Sequence, residues 1–257
     1  MSLIAMCIHC TETSGRLEYA KICLESLTNT VDLTKHRLFL IDNASYEEAT
    51  AFLLDFIEKH PATLMRNTEN LGTARGINRA LKERLPGEYC IKMDEDIVVN
   101  QSGWVEYMES VIERDTTIGI TGLKRRDINF DPNNSDQSYR STLVGLPHIA
   151  GQTWINVERG PSIMGSCTMY NHLLLDKINA LKQPGLYGFD DALVSLRSEL
   201  AGFWNCYLPH IDIDHIDRGD NPQTQVKWGM AGAVWNEHHK WHEEYISGTR
   251  PLWEDFE

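Results

Sequence analysis

The sequence predicts an α/β protein with a mostly parallel central sheet flanked by helices, followed by a helical C-terminal extension. Short apolar runs alternate with amphipathic segments of helix length through the first half of the chain. This alternation is typical of parallel strands joined by crossover helices. Hydrophobic residues make up 42% of the 257 residues, enough for one large domain or one domain with an extension. The tail from Thr224 to Glu257 ends the alternation and holds one helical pattern.

The first half alternates strands and helices. The apolar runs LIAMCIHC, RLFLID, ATLMRN, EYCIKM and IGITGL predict strands at 3–10, 37–42, 62–67, 88–93 and 118–123. Helices are predicted between and after them, at 17–27, 47–59, 73–84 and 104–114. In the first helix the apolar residues recur at helical spacing, and Pro86-Gly87 stops the third helix.

The second half departs from this rhythm. Residues 124–150 are polar and lack periodicity, which predicts a long loop that orders over a bound ligand. Strands are then predicted at 152–158, 162–170 and 203–209, and helices at 171–181, 190–201 and 234–245.

The charge and the apolar runs restrict the function. A net charge of −13 argues against a nucleic-acid groove or an anionic membrane surface as a partner. A nucleotide stays compatible, because a bound divalent cation can neutralise its diphosphate. No apolar run approaches the roughly 20 residues that span a bilayer, and the start lacks the features of a secretory signal. We therefore expect a cytoplasmic protein without a transmembrane segment.

Three acidic residues follow the fourth strand. Asp94 and Asp96 are two residues apart, so at strand geometry both side chains point to the same face. Open α/β sheets bind ligands in the crevice at the carboxyl ends of their strands. Two carboxylates there suit Mg²⁺ or Mn²⁺, which prefer oxygen ligands. A solvated acidic turn is the alternative interpretation of the same residues.

Two further segments carry polar side chains near this edge. Asp42 ends the second strand, either in a solvated turn or as a carboxylate aimed at a nucleobase or ribose. The segment NTENLGTARGINR begins a helix whose N-terminus, together with Arg75, attracts phosphate. Its glycine spacing is not GxGxxG, and no Walker A sequence occurs, which argues against a dehydrogenase or a P-loop enzyme.

Taken in order, these motifs resemble the family 2 glycosyltransferases of the GT-A fold. The first strand, IDNAS, NxxNLGxARGxN, MDED, GFDDALVSLR and a late histidine follow the family's order over residues 3–216. The resemblance implies a GT-A catalytic domain at 1–221, with a nucleotide-binding half at 1–123 and an acceptor half at 124–221, and a C-terminal helical extension at 222–257. It implies transfer from a nucleotide-diphosphate sugar, with a UDP-sugar favoured, to a glycan or small-molecule acceptor, assisted by Mn²⁺ or Mg²⁺.

The resemblance also implies roles for individual residues. Asp191 takes the position of the catalytic base, and Asp96 and His215 take those of metal ligands. The implied donor-binding residues are Cys10, Thr11, Glu12, Asp42, Arg75 and Asp94, with Asp42 at the base and Asp94 at the ribose. Two features depart from the family: Leu193 stands where a second Asp is frequent, and His9–Glu12 replaces a Pro-x-Tyr-Asn ending.

The chemistry of these residue types agrees with such roles, although each has a structural alternative. A general base accepts the proton of the acceptor hydroxyl, and partial desolvation of a carboxylate such as Asp191 raises its pKa. The alternative for Asp190-Asp191 is a pair of helix-starting acids, and for His215 a surface histidine stabilised by nearby acids.

Three other functions remain open on the same residues. A retaining transferase shares the metal motif. A nucleotidyltransferase also uses an α/β sheet and metal-binding acids, but CTETSGR is a poor match to the Gly-rich loop that such enzymes carry after the first strand. A non-catalytic nucleotide- or glycan-binding protein is compatible with Leu193 and with the altered first strand. Inverting sugar transfer is the favoured prediction.

Overall fold

The computed structural model describes residues 1–125, 142–146, 154–217, 219 and 222–256, with only the backbone described for 222–224. Most of the loop predicted at 124–150, including its expected closure over a ligand, therefore lies outside the described residues.

The described residues contain every predicted strand and helix, with shifts at some ends. The strands are β1 (Ser2–Ile8), β2 (Arg37–Asn43), β3 (Ala62–Asn67), β4 (Tyr89–Met93), β5 (Ile97–Val99), β6 (Ile118–Arg125), β7 (Thr142–Gly145), β8 (Asn156–Arg159), β9 (Cys167–Tyr170) and β10 (Trp204–His215). The helices are α1 (Arg16–Thr30), α2 (Glu47–Lys59), α3 (Thr73–Leu81), α4 (Trp104–Arg114), α5 (His172–Ile178), α6 (Asp190–Leu200), α7 (Pro222–Ala233) and α8 (Trp235–Ser247).

One mixed sheet organises the chain. Its strand order is β3-β2-β1-β4-β9-β6-β10-β8-β7, and β5 pairs with β10. The first four of these strands are parallel, as are β6 and β10. β9 runs antiparallel between β4 and β6, and β7 and β8 pair antiparallel. The predicted α/β class is confirmed, and most of the parallel strand pairs lie within residues 1–93.

The core lies on both faces of this sheet. Alternate residues of β1 belong to different clusters: Ile4 and Met6 pack with α1, α2 and α4, while Leu3 and Ala5 pack with α3, α5 and α6. This division follows from the alternation of side chains along a strand. On the second face α3 lies directly against β1, since a Cβ added to Gly76 would lie 2.4 Å from Cys7 Sγ.

Two strands differ most from their predictions: β10 runs to His215 instead of ending at residue 209, and β9 begins later than predicted. The predicted strand at 162–170 is present only from Cys167. The residues before it pair with side chains instead of with a neighbouring strand: Ile163 N–H donates to Ser195 Oγ, and Met164 N–H donates to the Tyr207 hydroxyl. This loop has the apolar composition of a strand, so the sequence alone does not show that its backbone N–H groups bond to side chains.

Three elements were not predicted, β5, β7 and α7, and β7 lies inside the segment predicted as a loop at 124–150. β5 has only three residues and pairs antiparallel with the end of β10. α7 contains Gly229 and Gly232, and each interior glycine disfavours a helix by about 1 kcal/mol relative to alanine. Of these elements, α7 lines the cavity described below through Lys227, Trp228 and Met230. None of the described helices is both long enough and apolar enough to cross a bilayer.

The C-terminal segment packs against the rest of the chain. Lys182 Nζ donates to the carbonyl of Asp255 at 2.8 Å, and Asn179 Nδ2 donates to that of Glu254 at 3.0 Å. The buried Arg197 guanidinium donates to the carbonyl of Leu252. Lys182 and Arg197 are buried donors, so residues 252–255 are part of the folded structure.

Candidate active site

A cavity of about 420 Å³ opens where β1, β4 and β10 end. A lobe of about 290 Å³ shares five of its lining residues. The charged residues among the described lining of the cavity and lobe are Arg16, Lys92, Asp94, Glu95, Asp96, Arg125, Asp190, Asp191, Asp217 and Lys227. Aromatic residues at the mouth include Tyr187 and Trp228, the latter 71% exposed. This position at the carboxyl ends of strands is where open α/β sheets bind ligands.

A buried lysine connects the two acidic segments of the cavity. Lys92 Nζ lies 2.7 Å from the Gly165 carbonyl oxygen, 3.1 Å from Asp94 Oδ1 and 3.2 Å from Asp190 Oδ2. Burial raises the pKa of Asp94 to about 7, against the opposing effect of Lys92 and with a contribution from Asp96. The ammonium group therefore links the end of β4 to the start of α6 across the cavity floor.

Asp191 occupies the first turn of α6 and faces the cavity. Its Oδ2 accepts the Gly165 N–H at 3.2 Å, and its Oδ1 accepts the N–H of Ala192 at 2.8 Å. Burial and the neighbouring Asp190 raise the pKa of Asp191, while Lys92 opposes them. Both acids are first-turn residues, but the helix is capped by Phe189 rather than by either of them.

Phe189 holds the start of α6 in an unusual conformation. Its φ of 68° lies in the left-handed region, which is uncommon for a bulky residue. Its ring stacks on the His238 imidazole of α8, with centroids 4.1 Å apart and planes at 9°. Strained backbone of this kind persists where the surrounding structure enforces it, and it clusters at functional sites. The C-terminal extension therefore supports the turn that presents Asp191.

The residues around Asp96 fit a divalent cation whose coordination a substrate completes. Asp96 Oδ1 is buried and has no hydrogen-bond partner among the described residues. His215 Nε2 lies 3.6 Å from Asp96 Oδ2. The described residues hold no group of three or more His, Cys, Asp or Glu side chains that could enclose a metal. Two protein ligands are nevertheless sufficient for Mg²⁺-type ions, which take one or two carboxylates together with substrate phosphates.

The nine predicted site residues fall into two groups. Asp94, Asp96, Asp191 and His215 line the cavity together. The other five, which are Cys10, Thr11, Glu12, Asp42 and Arg75, are not among its described lining residues.

Side-chain environments differ within the second group. Asp42 is buried, and its carboxylate accepts the Ser45 N–H at 2.9 Å and the Thr50 hydroxyl at 2.7 Å. These hydrogen bonds are typical of a carboxylate that stabilises a turn, rather than of one that is exposed to a ligand. Cys10 is buried, and burial raises the pKa of its thiol to about 12. Glu12 and Arg75 are exposed, and Thr11 is half-buried.

The sequence analysis missed the two buried cations of the site, Arg16 and Lys92. Lys92 had an available signal, because it precedes Asp94 by two residues and so shares its face of the strand. Arg16 had none, since its three carboxylate partners lie 79 to 201 residues further along the chain.

Comparisons with known proteins place this geometry in a class. A comparison with curated protein sequences gave no match. The family model described as glycosyl transferase family 2 matches residues 10–178, more than half of the 257-residue chain.

Several solved glycosyltransferases share the fold. A mannosyltransferase from Pyrobaculum calidifontis, solved with GDP-Man and Mn²⁺, has a TM-score of 0.63 at 16% identity, over 84% of this chain and 56% of its own. Residues 1–349 of S. aureus TarS give 0.60 at 14% identity, over 86% and 62%. GalNAc-T7, solved with UDP, GalNAc and Mn²⁺, gives 0.61 at 14% identity, over 100% and 53%. The chain thus spans little more than half the length of these proteins.

The sheet order and these neighbours show that the fold is that of the GT-A glycosyltransferases. The chain belongs to glycosyl transferase family 2.

Proposed function

We propose that this protein transfers a sugar from a nucleotide-diphosphate sugar to an acceptor hydroxyl, with the help of a divalent cation and with inversion at the anomeric carbon. The observation that carries the proposal is the shared cavity. Asp96, with its unpartnered buried oxygen, and Asp191, the proposed base, line the same space of about 420 Å³. We propose residues 1–221 as the catalytic domain, with halves at 1–123 and 124–221, and 222–257 as its helical extension.

The charge of the cavity supports a cation and a phosphorylated ligand together. Six carboxylates and four lysine or arginine side chains are among the described lining residues of the cavity and its lobe. The carboxylates favour a divalent ion, and the lysine and arginine side chains favour phosphate groups. Lys227 of α7 lies 4.0 Å from Asp217 and lines both spaces, so it is a candidate phosphate contact. Lysine binds phosphate as a point charge.

The proposed donor is a nucleotide sugar, with UDP-sugars favoured. S. aureus TarS was solved with UDP-GlcNAc, GalNAc-T7 with UDP, and the Pyrobaculum mannosyltransferase with GDP-Man. We propose that nucleotide contacts come from Cys10, Thr11, Glu12, Asp42, Arg75 and Asp94. The first five lie outside the described cavity lining, so their contacts require a nucleotide that extends past it toward β2 and α3.

Asp96 and His215 are the proposed ligands of Mn²⁺ or Mg²⁺. Imidazole ligation favours Mn²⁺ over Mg²⁺. A bound divalent ion would neutralise the negative charge that develops on the diphosphate leaving group.

Asp191 is the proposed general base. Its position at a helix start aims the carboxylate into the cavity, and its two backbone hydrogen bonds fix the orientation. A carboxylate with a raised pKa accepts a proton from an acceptor hydroxyl more readily than an ordinary aspartate does. A single base acting on the acceptor is what a direct, inverting displacement needs.

The same cavity on a non-catalytic binding protein is the second candidate. Leu193, at the position where the family often has an acid, is fully buried in the structure. This chain has no carboxylate at that position, which is compatible with a protein that binds without catalysis.

A thermal-shift screen followed by a turnover assay tests both candidates. The melting temperature is measured with UDP, GDP, ADP and CDP, each in Mn²⁺ and in EDTA. Sugar conjugates of the nucleotide that stabilises the protein most are then tested for nucleotide release. We expect stabilisation by one nucleotide in Mn²⁺ only, and release from its sugar. Stabilisation without release in the presence of glycoside acceptors indicates the binding protein, and no stabilisation by any nucleotide contradicts both.

A further inference from the structure

A buried arginine joins three segments of the chain at the cavity floor. Arg16, the first residue of α1, is 2% exposed. Its Nε donates to Glu95 Oε1 at 2.6 Å, its Nη2 to Asp96 Oδ2 at 2.8 Å and its Nη1 to Asp217 Oδ2 at 2.8 Å. Glu95 and Asp96 lie in the acidic turn after β4, and Asp217 follows the end of β10. One guanidinium therefore connects the start of α1 to the ends of β4 and β10.

The hydrogen bond from Arg16 orients the Asp96 carboxylate. One oxygen, Oδ2, accepts from the guanidinium, while the other, Oδ1, is buried and has no partner among the described residues. A buried acceptor left unsatisfied destabilises the folded protein, and the penalty is larger when the acceptor is charged. The arginine therefore holds a conformation whose unsatisfied oxygen is suited to a cation.

The other arms of Arg16 hold the segment that carries His215. Asp217 follows His215 by two residues and accepts from Nη1. The N–H of Ile216 donates to the Asp96 carbonyl at 2.9 Å. Together these bonds keep the His215 imidazole beside Asp96, with Nε2 lying 3.6 Å from Asp96 Oδ2.

We propose that Arg16 is a positioning residue for the divalent cation. It holds Asp96 through Oδ2 so that Oδ1 faces the ion, and it holds Asp217 so that His215 stays beside it. This inference rests on the metal site of the proposed function. The planar guanidinium satisfies three acceptors in fixed directions, which the single ammonium of lysine does not reproduce.

The opposite role for Arg16 is competition with the cation. Three carboxylates around one guanidinium would then be occupied, and metal binding would have to displace it. The two roles predict opposite effects of Arg16→Lys, which keeps the positive charge but loses the planar guanidinium. Cation binding becomes weaker if Arg16 positions Asp96, and stronger if Arg16 competes with the cation.

The experiment is a Mn²⁺ titration of the full chain, both without nucleotide and at a fixed concentration of UDP, in which electron paramagnetic resonance measures the free ion and UDP without protein is the blank. We expect Arg16→Lys to bind Mn²⁺ about 10–100-fold more weakly than the wild type, which is the usual effect of removing a residue that orients a metal ligand. Asp96→Asn should abolish binding, which marks the site.

Arg197→Lys is the matched control. Arg197 is equally buried and donates to the carbonyls of Ala180 at 2.7 Å and Ile178 at 2.8 Å, and it does not line the cavity. This variant should lower the melting temperature but leave Mn²⁺ affinity within about twofold. If Arg16→Lys fails to fold, Asp217→Ala removes one of the three acceptors of the guanidinium and should weaken Mn²⁺ binding about tenfold.

The outcomes separate this inference from the proposed function. If the wild type binds Mn²⁺ and Arg16→Lys binds it equally or more tightly, Arg16 does not position the ligand, while the metal site stands. The same holds if Arg16→Lys and Arg197→Lys weaken binding equally. If the wild type does not bind Mn²⁺ at all, the metal site fails and this inference fails with it.

Discussion

Replacement of Asp191 by asparagine separates a catalytic base from a structural helix-start residue. The amide keeps the size of the side chain and one acceptor oxygen, but it cannot accept a proton. Loss of a general base lowers the rate by about 10²–10⁴-fold. At about 1.36 kcal/mol per tenfold change, this corresponds to about 3–5 kcal/mol of transition-state stabilisation.

The structural cost of Asp191→Asn is smaller. Asp191 accepts two backbone N–H groups, at 2.8 and 3.2 Å, and the amide can keep only one of them. The loss of one such bond costs about 1 kcal/mol, or about 2–4 °C in melting temperature for a chain of this size. Nucleotide affinity should not change, since the base faces the acceptor.

The assay is nucleotide release from the donor that the thermal-shift screen identifies, in the presence of glycoside acceptors. Asp190→Asn is the control, because it removes the adjacent acid and its contact with Lys92 while Asp191 stays. We expect the control to lose less than about tenfold, well below the loss expected for the base. Asp191→Asn with a rate within about threefold of the wild type, or with an unfolded chain, would refute the role of Asp191.

Three further predictions concern pH and backbone strain. The value of kcat/KM should fall as the pH decreases through the raised pKa of Asp191, and Asp190→Asn should move this acid limb to lower pH by removing a like charge; a pH–rate profile that does not move contradicts this. Gly72→Ala should lower the free energy of unfolding by about 1–3 kcal/mol or more in urea denaturation, because φ is +80° and the new Cβ would lie 2.8 Å from a backbone atom. Gly15→Ala, with φ +67° and open space, should cost less. Burial and two neighbouring histidines lower the pKa of His238 to about 4, so the unfolded chain binds this proton more readily than the folded chain does. The free energy of unfolding should therefore fall as the pH decreases from about 6.5 toward 4. Melting curves of His238→Phe should lack that part of the pH dependence.

The part of the site that strand alternation controls could be predicted from the sequence. Asp94 and Asp96 follow a buried strand two residues apart, and both line the cavity at the carboxyl end of β4. The start of α6 at Asp190 was likewise predicted, whereas β10 continues to His215, six residues past the end of the strand predicted at 203–209. Each of these patterns lies within a single segment of the chain, so that segment alone is sufficient to predict it.

The ion pairs that connect these segments could not be predicted. Arg16 and Asp217 are 201 residues apart, and nothing in either segment indicates the other. The loop before Cys167 has the composition of a strand, yet its backbone groups contact Lys92, Asp191 and other side chains. α7 was hidden by its glycines, although its Lys227 and Trp228 line the cavity.

The central claim is that a nucleoside diphosphate binds this cavity through a divalent ion at Asp96. The most direct measurement is anomalous diffraction at the manganese edge from crystals grown with UDP and Mn²⁺. The account predicts one manganese peak within bonding distance of Asp96 Oδ1 and His215 Nε2 and of a diphosphate oxygen, with the uridine extending toward β2. Nucleotide bound in the cavity with no manganese at Asp96, or manganese and nucleotide bound elsewhere on the chain, would contradict the account.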